Sequence, residues 1–188
     1  MGRSERIVVP DGFYHVTTRG NRKEPIYFGR WSGRLFLQLL DRTSRRHGWN
    51  VVAYVLMRNH YHLVLQISDR GLSGGMCELN TRFAYLSNQA MDRSDHLFGG
   101  RFWSRLIDEE DYLLEASRYV LLNPERAGAI VDARRWRFSS LAATLGTAPA
   151  PTCLDTAALL NRFAGDVTVA RERFWDFVQK GRVRATRA

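Results

Sequence analysis

The chain is poor in cysteine, lysine, proline and long apolar runs, and each shortage excludes something. Its two cysteines, Cys77 and Cys153, stand far apart without CxxC spacing. They cannot build a thiolate metal site, and nothing in their number points to an oxidising compartment. No uninterrupted apolar run approaches the roughly 18–20 residues of a membrane span. The first residues, Met1 to Arg6, carry charge without an apolar stretch behind them, so no secretory leader is expected and a cytoplasmic location is. Five prolines and 15 glycines without a period exclude a collagen-like or low-complexity chain. Acidic residues are the minority: 19 Asp and Glu against 28 Lys and Arg leave a formal net charge of +9. Lysine is nearly missing, Lys23 and Lys180 being the only two, so the positive charge is almost all arginine. Arginine presents a planar fork suited to phosphate and base edges, where lysine is a compact point charge. This balance favours a polyanionic partner, nucleic acid before a membrane surface.

What is present suffices for a packed core: 188 residues, 45% hydrophobic and 12% aromatic. Phe13 to Arg19 is rich in aromatic and β-branched residues and stops at Gly20-Asn21, the pattern of a strand entering a turn. Leu35, Phe36, Leu39 and Leu40 recur at helical spacing between Ser32 and His47, with Gly48 as the stop. Asn50–Met57 and Tyr61–Ile67 read as a hairpin whose polar tip is Arg58-Asn59-His60. The near-continuous apolar run Val51–Leu56 has the character of a central strand covered on both faces. A second helix fits Ser73–Met91 and a further strand Arg101–Ile107. A third helix fits Glu109–Asn123, with acidic residues at its dipole-positive start and Pro124 as its end. Beyond Val131 the pattern weakens to a Thr/Ala/Pro stretch, two short helical patterns near Leu154–Phe163 and Val169–Val178, and a basic tail, Lys180–Arg187. The order predicts an α+β, ferredoxin-like antiparallel sheet with helices on one face and a C-terminal helical extension.

Two constellations carry chemistry. His60 and His62 flank Tyr61 on a strand, so both imidazoles project from one face and the phenol from the other. Two neutral imidazoles on one face can chelate a divalent metal, and equally they can be ordinary histidines at a strand end. In the third helix, Tyr119 and Asn123 are i and i+4, stacked on one face, and Tyr112 lies two turns earlier on roughly that face. Tyr119 also reads as a core aromatic with its hydroxyl at the edge, and Asn123 as a C-cap before Pro124.

Four separated segments, taken together, resemble the REP-associated tyrosine transposases, within the HUH (His-hydrophobic-His) class of single-strand nucleases. They are Phe13–Arg22 (FYHVTTRGNR), Val55–Leu65 (VLMRNHYHLVL), His96–Phe102 (HLFGGRF) and Tyr112–Gly128 (YLLEASRYVLLNPERAG), spread over about Ile7 to Ala142. The resemblance implies that His60 and His62, on a central strand, are metal ligands, that Tyr119 is the nucleophile and that Asn123 is the third ligand. Mg²⁺ or Mn²⁺ would be the cofactor, and no nucleotide would be needed. Tyr112 keeps a minority claim as nucleophile. The middle residue of the histidine pair, Tyr61, departs from the small aliphatic of the pattern. His15 fits either a phosphate contact or support for a ligand, and fits a structural histidine as well. The expected partner is single-stranded or hairpin DNA, a repetitive extragenic palindrome, with no membrane. Its contacts would be Arg19, Arg22, Lys23, Arg58, Arg101, Arg105 and Arg118. Arg134, Arg135, Arg137 and the basic tail are candidates for the hairpin backbone. The expected organisation is a transposase domain over residues 1–143, followed by a linker and helical, basic extension over 144–188.

The implied function is metal-dependent single-strand DNA cleavage and strand transfer through a 5′-phosphotyrosine. Two other readings compete with it. A non-catalytic nucleic-acid-binding domain would use a ferredoxin-like sheet as a platform, but it needs no paired histidines. A metal-dependent hydrolase would use His60 and His62 to activate water, but it leaves Tyr119 without a role.

Overall fold

The computed structural model describes residues 9–68 and 71–185, the side chains of Glu110 and of residues 183–185 excepted. The N-terminal stretch read for a leader and the end of the basic tail lie outside the described residues. Strand β1 (Phe13–Arg19) is followed by helix α1 (Arg30–His47), then by β2 (Trp49–Leu56) and β3 (His60–Ile67). Helix α2 (Ser73–Ala90) leads to β4 (Trp103–Ile107), and α3 (Glu110–Arg126) follows. The four strands form one antiparallel sheet in the order β2-β3-β1-β4. This is the expected ferredoxin-like arrangement, and it puts β3, with both histidines, in the interior of the sheet.

The alternation of side chains along β1 and β3 divides the interior into two cores. On one face Tyr14, Val16, Tyr61, Leu63 and Leu65 meet Phe36 and Leu40 of α1 and Met76, Leu79 and Phe83 of α2. On the other, Val52, Val55 and Val64 meet Leu113, Val120 and Leu121 of α3. Each fully buried side chain of this kind contributes on the order of 1.5–3 kcal/mol. Helices on one face is therefore true of α1 and α2, while α3 covers the opposite face. The reason is that the strands carry apolar residues on both sides, and a second apolar face must be covered.

The continuous apolar run of β2 marks burial, not centrality: β2 is at the end of the sheet. Its outer edge is sealed by the chain after α3. Leu56 N–H donates to the Phe138 carbonyl (2.9 Å), Ser140 N–H to Tyr54 (3.0 Å), Val51 N–H to Cys153 (3.1 Å) and Asp155 N–H to Val51 (2.8 Å). Two short helices, α4 (Leu141–Thr144) and α5 (Ala157–Leu160), lead to α6 (Val167–Ala185). Phe174 and Val178 of α6 and Leu159 of α5 are fully buried in the second core. The C-terminal segment is thus packed on the sheet domain through α3, and the helical pattern near Leu154–Phe163 shortens to one turn.

Two terminators behave differently. Gly48 ends α1 in the left-handed conformation (φ 65°) that glycine adopts freely, as expected. Pro124 does not end α3, which continues to Arg126. A proline removes one N–H and crowds the carbonyl four residues earlier. The helix nonetheless closes beyond it, because Ala127 N–H donates to Asn123 O (2.9 Å) and Ala129 N–H to Pro124 O (2.9 Å). Asn123 is therefore inside the helix, and its side chain is available to face the sheet.

Candidate active site

The register of β1, β3 and β4 assembles the site. Thr17 lies opposite His62 and Arg19 opposite His60, while His15 and Thr17 face Arg105 and Trp103 of β4. All of these project toward α3. Tyr61 projects to the other face, fully buried. Its hydroxyl is 2.5 Å from Asn80 Oδ1 on α2 and accepts from Thr18 Oγ1 at 3.0 Å. A phenol replaces the small aliphatic here at no cost in unsatisfied hydroxyl, since α2 and β1 supply both partners.

Asn123 of α3 reaches across to both histidines. Its Oδ1 lies 3.3 Å from His60 Nε2 and its Nδ2 3.4 Å from His62 Nε2. Behind each ring is a further polar group: His60 Nδ1 is 2.8 Å from Asn59 Oδ1, and His62 Nδ1 is 3.0 Å from His15 Nε2. Asn59 Oδ1 can only accept, so His60 carries its proton on Nδ1. If His62 donates its Nδ1 proton to His15, both Nε2 lone pairs point at the Asn123 amide. His60 Nε2 and Asn123 Oδ1 are then two acceptors facing each other at hydrogen-bond distance. A cation between them resolves that conflict, and an amide oxygen with two imidazoles is a donor set suited to Mn²⁺ or Mg²⁺. The residues present thus fit a divalent metal. Among the described residues, no group of three or more His, Cys, Asp or Glu side chains could hold one alone.

The electrostatics keep the rings neutral. Burial, helped by neighbouring His15, His60 and Arg19, pushes His62 down to about 3. Burial, helped by Arg105, pushes His15 down to about 4. His60 is lowered too, chiefly by burial, with Asn123 opposing and Arg19 assisting. Neutral imidazoles are what metal ligation requires.

Tyr119 sits one helical turn before Asn123. Its ring is edge-on to those of His62 (5.6 Å between centroids) and His15 (5.9 Å), with the Arg126 guanidinium 5.1 Å above it. It is 39% exposed, an aromatic left open where the flanking Val120 and Leu121 are fully buried. It opens into a cleft of about 510 Å³ lined by His15, Thr17, His62, Trp103, Tyr112, Glu115, Ala116 and Arg126 as well. Tyr112 shares the cleft, with the Arg105 guanidinium 4.5 Å over its ring, while the ring contacts of the histidines go to Tyr119.

The expected basic residues divide into three groups. Arg19, Arg22, Lys23 and Arg101 line one cavity of about 360 Å³ with Gly20, Asn21, Gly99 and Gly100, adjoining His60 through the Arg19 pairing. Arg22 and Lys23 hold left-handed backbone (φ 50° and 64°), which costs of order 1–3 kcal/mol each and persists only where surroundings impose it. Asn59 Nδ2, donating to the Lys23 carbonyl (3.0 Å), and Asn21 N–H, donating to Leu97 (2.9 Å), supply that constraint. Arg58 is exposed on the β2–β3 turn and lines neither cavity, and Arg105 stands at the rim of the first.

Arg118 is a correction. It is buried between α3 and α6, paired with Glu115, donating to the Phe177 carbonyl (3.3 Å) and stacked on the Phe177 ring (4.4 Å). Helical spacing explains why: one residue before Tyr119 points about 100° away from the cleft. Arg134 pairs with Asp132 and lies 4.6 Å over Trp175, and Arg182 donates to Glu125 (2.7 Å), so these two brace the C-terminal segment. Sequence reasoning missed Asn59 and Glu115. Adjacency to His60 and the i−4 spacing from Tyr119 were the signals for them.

Comparison with known proteins follows the same lines. The family described as "Transposase IS200 like" matches residues 8–119. A protein of Haemophilus influenzae (strain Rd) named as a REP-associated tyrosine transposase is 23% identical over 116 residues, covering 56% of this chain. The alignment spans 66% of that relative's length, just under two thirds. A solved structure of a REP-associated tyrosine transposase bound to a REP hairpin superposes with a TM-score of 0.65 at 20% identity, covering 89% of this chain and 94% of its own. That likeness is one of fold. No helix among the described residues is long and apolar enough to cross a membrane.

Proposed function

Because the chain belongs to the IS200-like transposase family, we propose that it cuts and rejoins single-stranded DNA through a covalent 5′-phosphotyrosine at Tyr119. The observation that carries this reading is the convergence of His60, His62 and Asn123 within 3.4 Å contacts, one helical turn from the exposed Tyr119.

His60 Nε2, His62 Nε2 and Asn123 Oδ1 would hold Mn²⁺ or Mg²⁺. When bound, the metal supplies Lewis-acid polarisation of the scissile phosphate. The rest belongs to the chain's own residues. Tyr119 Oη attacks phosphorus and its proton leaves to solvent or a nearby base, while the P–O3′ bond breaks and the departing 3′-oxygen takes a proton from solvent or that base to become a free hydroxyl. The phosphodiester energy is kept in the phosphotyrosine, so a 3′-hydroxyl can reverse the step on the same or another strand without a nucleotide cofactor. The Arg126 guanidinium over the ring favours the developing phenolate. Asn59 and His15 hold the imidazoles in the tautomer that presents Nε2. Arg19, Arg22, Lys23 and Arg101 would take the phosphates next to the cut, and the hairpin form of the substrate is inferred from the hairpin carried by the structural relative.

The direct test is a denaturing gel of labelled hairpin oligonucleotide incubated with Mn²⁺. A protein–DNA adduct that Tyr119→Phe removes and Tyr112→Phe retains is the expected result. Cleavage without an adduct would return the hydrolase reading, and binding without cleavage the non-catalytic one.

A further inference from the structure

The cleft beside Tyr119 is larger and more aromatic than a phosphate needs. At about 510 Å³ it falls in the range of roughly 300–1,000 Å³ typical of small-ligand pockets. His15 and Thr17 of β1, His62 of β3 and Trp103 of β4 line it from the sheet, and α3 lines it from the other side. Just before β4, Phe102 is buried at 7%, while Trp103, the first residue of the strand, is left 51% exposed, its ring 5.6 Å from that of His15 and edge-on to it. An indole held open in a cleft is a stacking surface for an unpaired base. Across from it, Tyr112 presents a second ring, oriented by Arg105.

Glu115 is the odd member of this lining. A carboxylate in a cleft surrounded by arginine repels the phosphates that the arginines attract. It lies one helical turn before Tyr119, and its pairing with Arg118 fixes its direction while half of its side chain stays exposed. An ionised carboxylate accepts hydrogen bonds and donates none. The part of a nucleotide that it suits is therefore a base edge carrying donors. Guanine alone presents two adjacent donors, N1–H and N2–H, matching the two oxygens of a carboxylate. Cytosine and adenine offer one amino group, and thymine a single N–H between two acceptors.

We propose that this cleft is a nucleobase slot, in which Trp103 stacks on a base next to the scissile phosphate and Glu115 selects guanine through its Watson–Crick edge. The proposal rests on the functional reading above and adds to it a source of sequence preference. It also gives the strand a path. One flanking base enters the aromatic cleft, the scissile phosphate lies at His60, His62 and Tyr119, and phosphates on the other flank enter the cavity of Arg19, Arg22, Lys23 and Arg101.

The test uses the full chain and a library of hairpin oligonucleotides with randomised single-stranded flanks. Adducts formed with Mn²⁺ are captured and their DNA sequenced. Wild type is expected to enrich guanine about tenfold or more over thymine at one of the two positions bordering the cut, the discrimination of a good bidentate base contact. Glu115→Gln should flatten that enrichment while leaving other positions unchanged. On a defined substrate, inosine in place of guanine, which deletes only the N2 amine, should slow wild type and not Glu115→Gln. Trp103→Ala should slow adduct formation with every base and have no effect on an abasic nucleotide at that position. Thermal melting that matches wild type establishes that both variants fold. Three results would overturn the slot: adducts with no base preference at either bordering position, a Glu115→Gln enzyme slowed equally on all bases with a shifted pH profile (Glu115 then being a proton acceptor for Tyr119), or Trp103→Ala at wild-type speed. Each leaves the phosphotyrosine reading standing. Absence of any adduct from the library defeats that reading, and the slot with it.

Discussion

His15 Nε2 and His62 Nδ1 lie 3.0 Å apart on neighbouring strands, a diagonal contact, since His62 pairs with Thr17 and His15 lies two residues before it. The contact orients His62, the more buried ring of the His60–His62 pair. Replacing His15 by Phe removes the acceptor behind His62 and should lower Mn²⁺ affinity about 10–100-fold, the usual cost of losing a partner behind a ligand. His15→Gln, whose amide oxygen can still accept, should recover part of it. Titration calorimetry of Mn²⁺ into the DNA-free protein measures both, and unchanged affinity in His15→Phe would make His15 merely structural.

The same two rings set a pH dependence. In the fold His15 and His62 are pushed to about 4 and about 3, whereas an ordinary histidine protonates near 6.5. Between pH 6.5 and those values the unfolded chain binds more protons than the folded one. Stability of metal-free protein is thus fully present above pH 6.5 and falls as pH drops toward 4, with a slope of up to about 1.4 kcal/mol per pH unit for each proton. Melting temperatures in chelator from pH 7.5 to 4.5 should decline, and decline less in His62→Leu. A flat profile in wild type would contradict the buried, neutral assignment.

Arg118 and the group Arg22, Lys23 and Arg101 should separate in their effects. Arg118→Met removes the link between Glu115 and the Phe177 carbonyl. It should lower stability by about 1–3 kcal/mol, as for a partner left unsatisfied, and Arg118→Lys should recover little because lysine lacks the planar fork. The salt dependence of DNA binding should not change. Denaturant unfolding of both variants and a binding series in salt test the two halves.

Arg22→Ala and Arg101→Ala should do the reverse. Neither side chain is buried, so stability should hold, while each lost phosphate contact lowers the slope of log K against log salt by about 0.7 on a single strand. Equal slopes for wild type and the double variant would remove this cavity from the DNA path.

Much of this was legible in the sequence, and the misses share a cause. Period-two alternation put His60 and His62 on one face and Tyr61 on the other, and the structure agrees. Glycine after His47 stopped a helix where expected because nothing tertiary opposed it. Pro124 was misread because the local rule was outweighed by packing: Leu121 and Leu122 on one side and Asn123 facing the histidines hold the last turn in place. Arg118 was misread because charge is visible in a sequence and its partners, Phe177 and Glu115, are not visible as partners. The sealing of β2 by residues 138–155 was illegible for the same reason, since edge pairing between backbone atoms leaves no side-chain signature.

The alternation in β3 has a genetic consequence. Exchanging one side chain there alters one contact, whereas inserting or deleting one residue between the turn at Asn59 and Leu63 would rotate the whole strand by half a period. The phenol would then stand beside Tyr119 and both imidazoles would be driven into the apolar layer under α1 and α2. A lineage carrying this protein should therefore tolerate point changes around the histidines better than single-codon gains or losses. Inactive copies should be recognisable by the length of that hairpin before its composition.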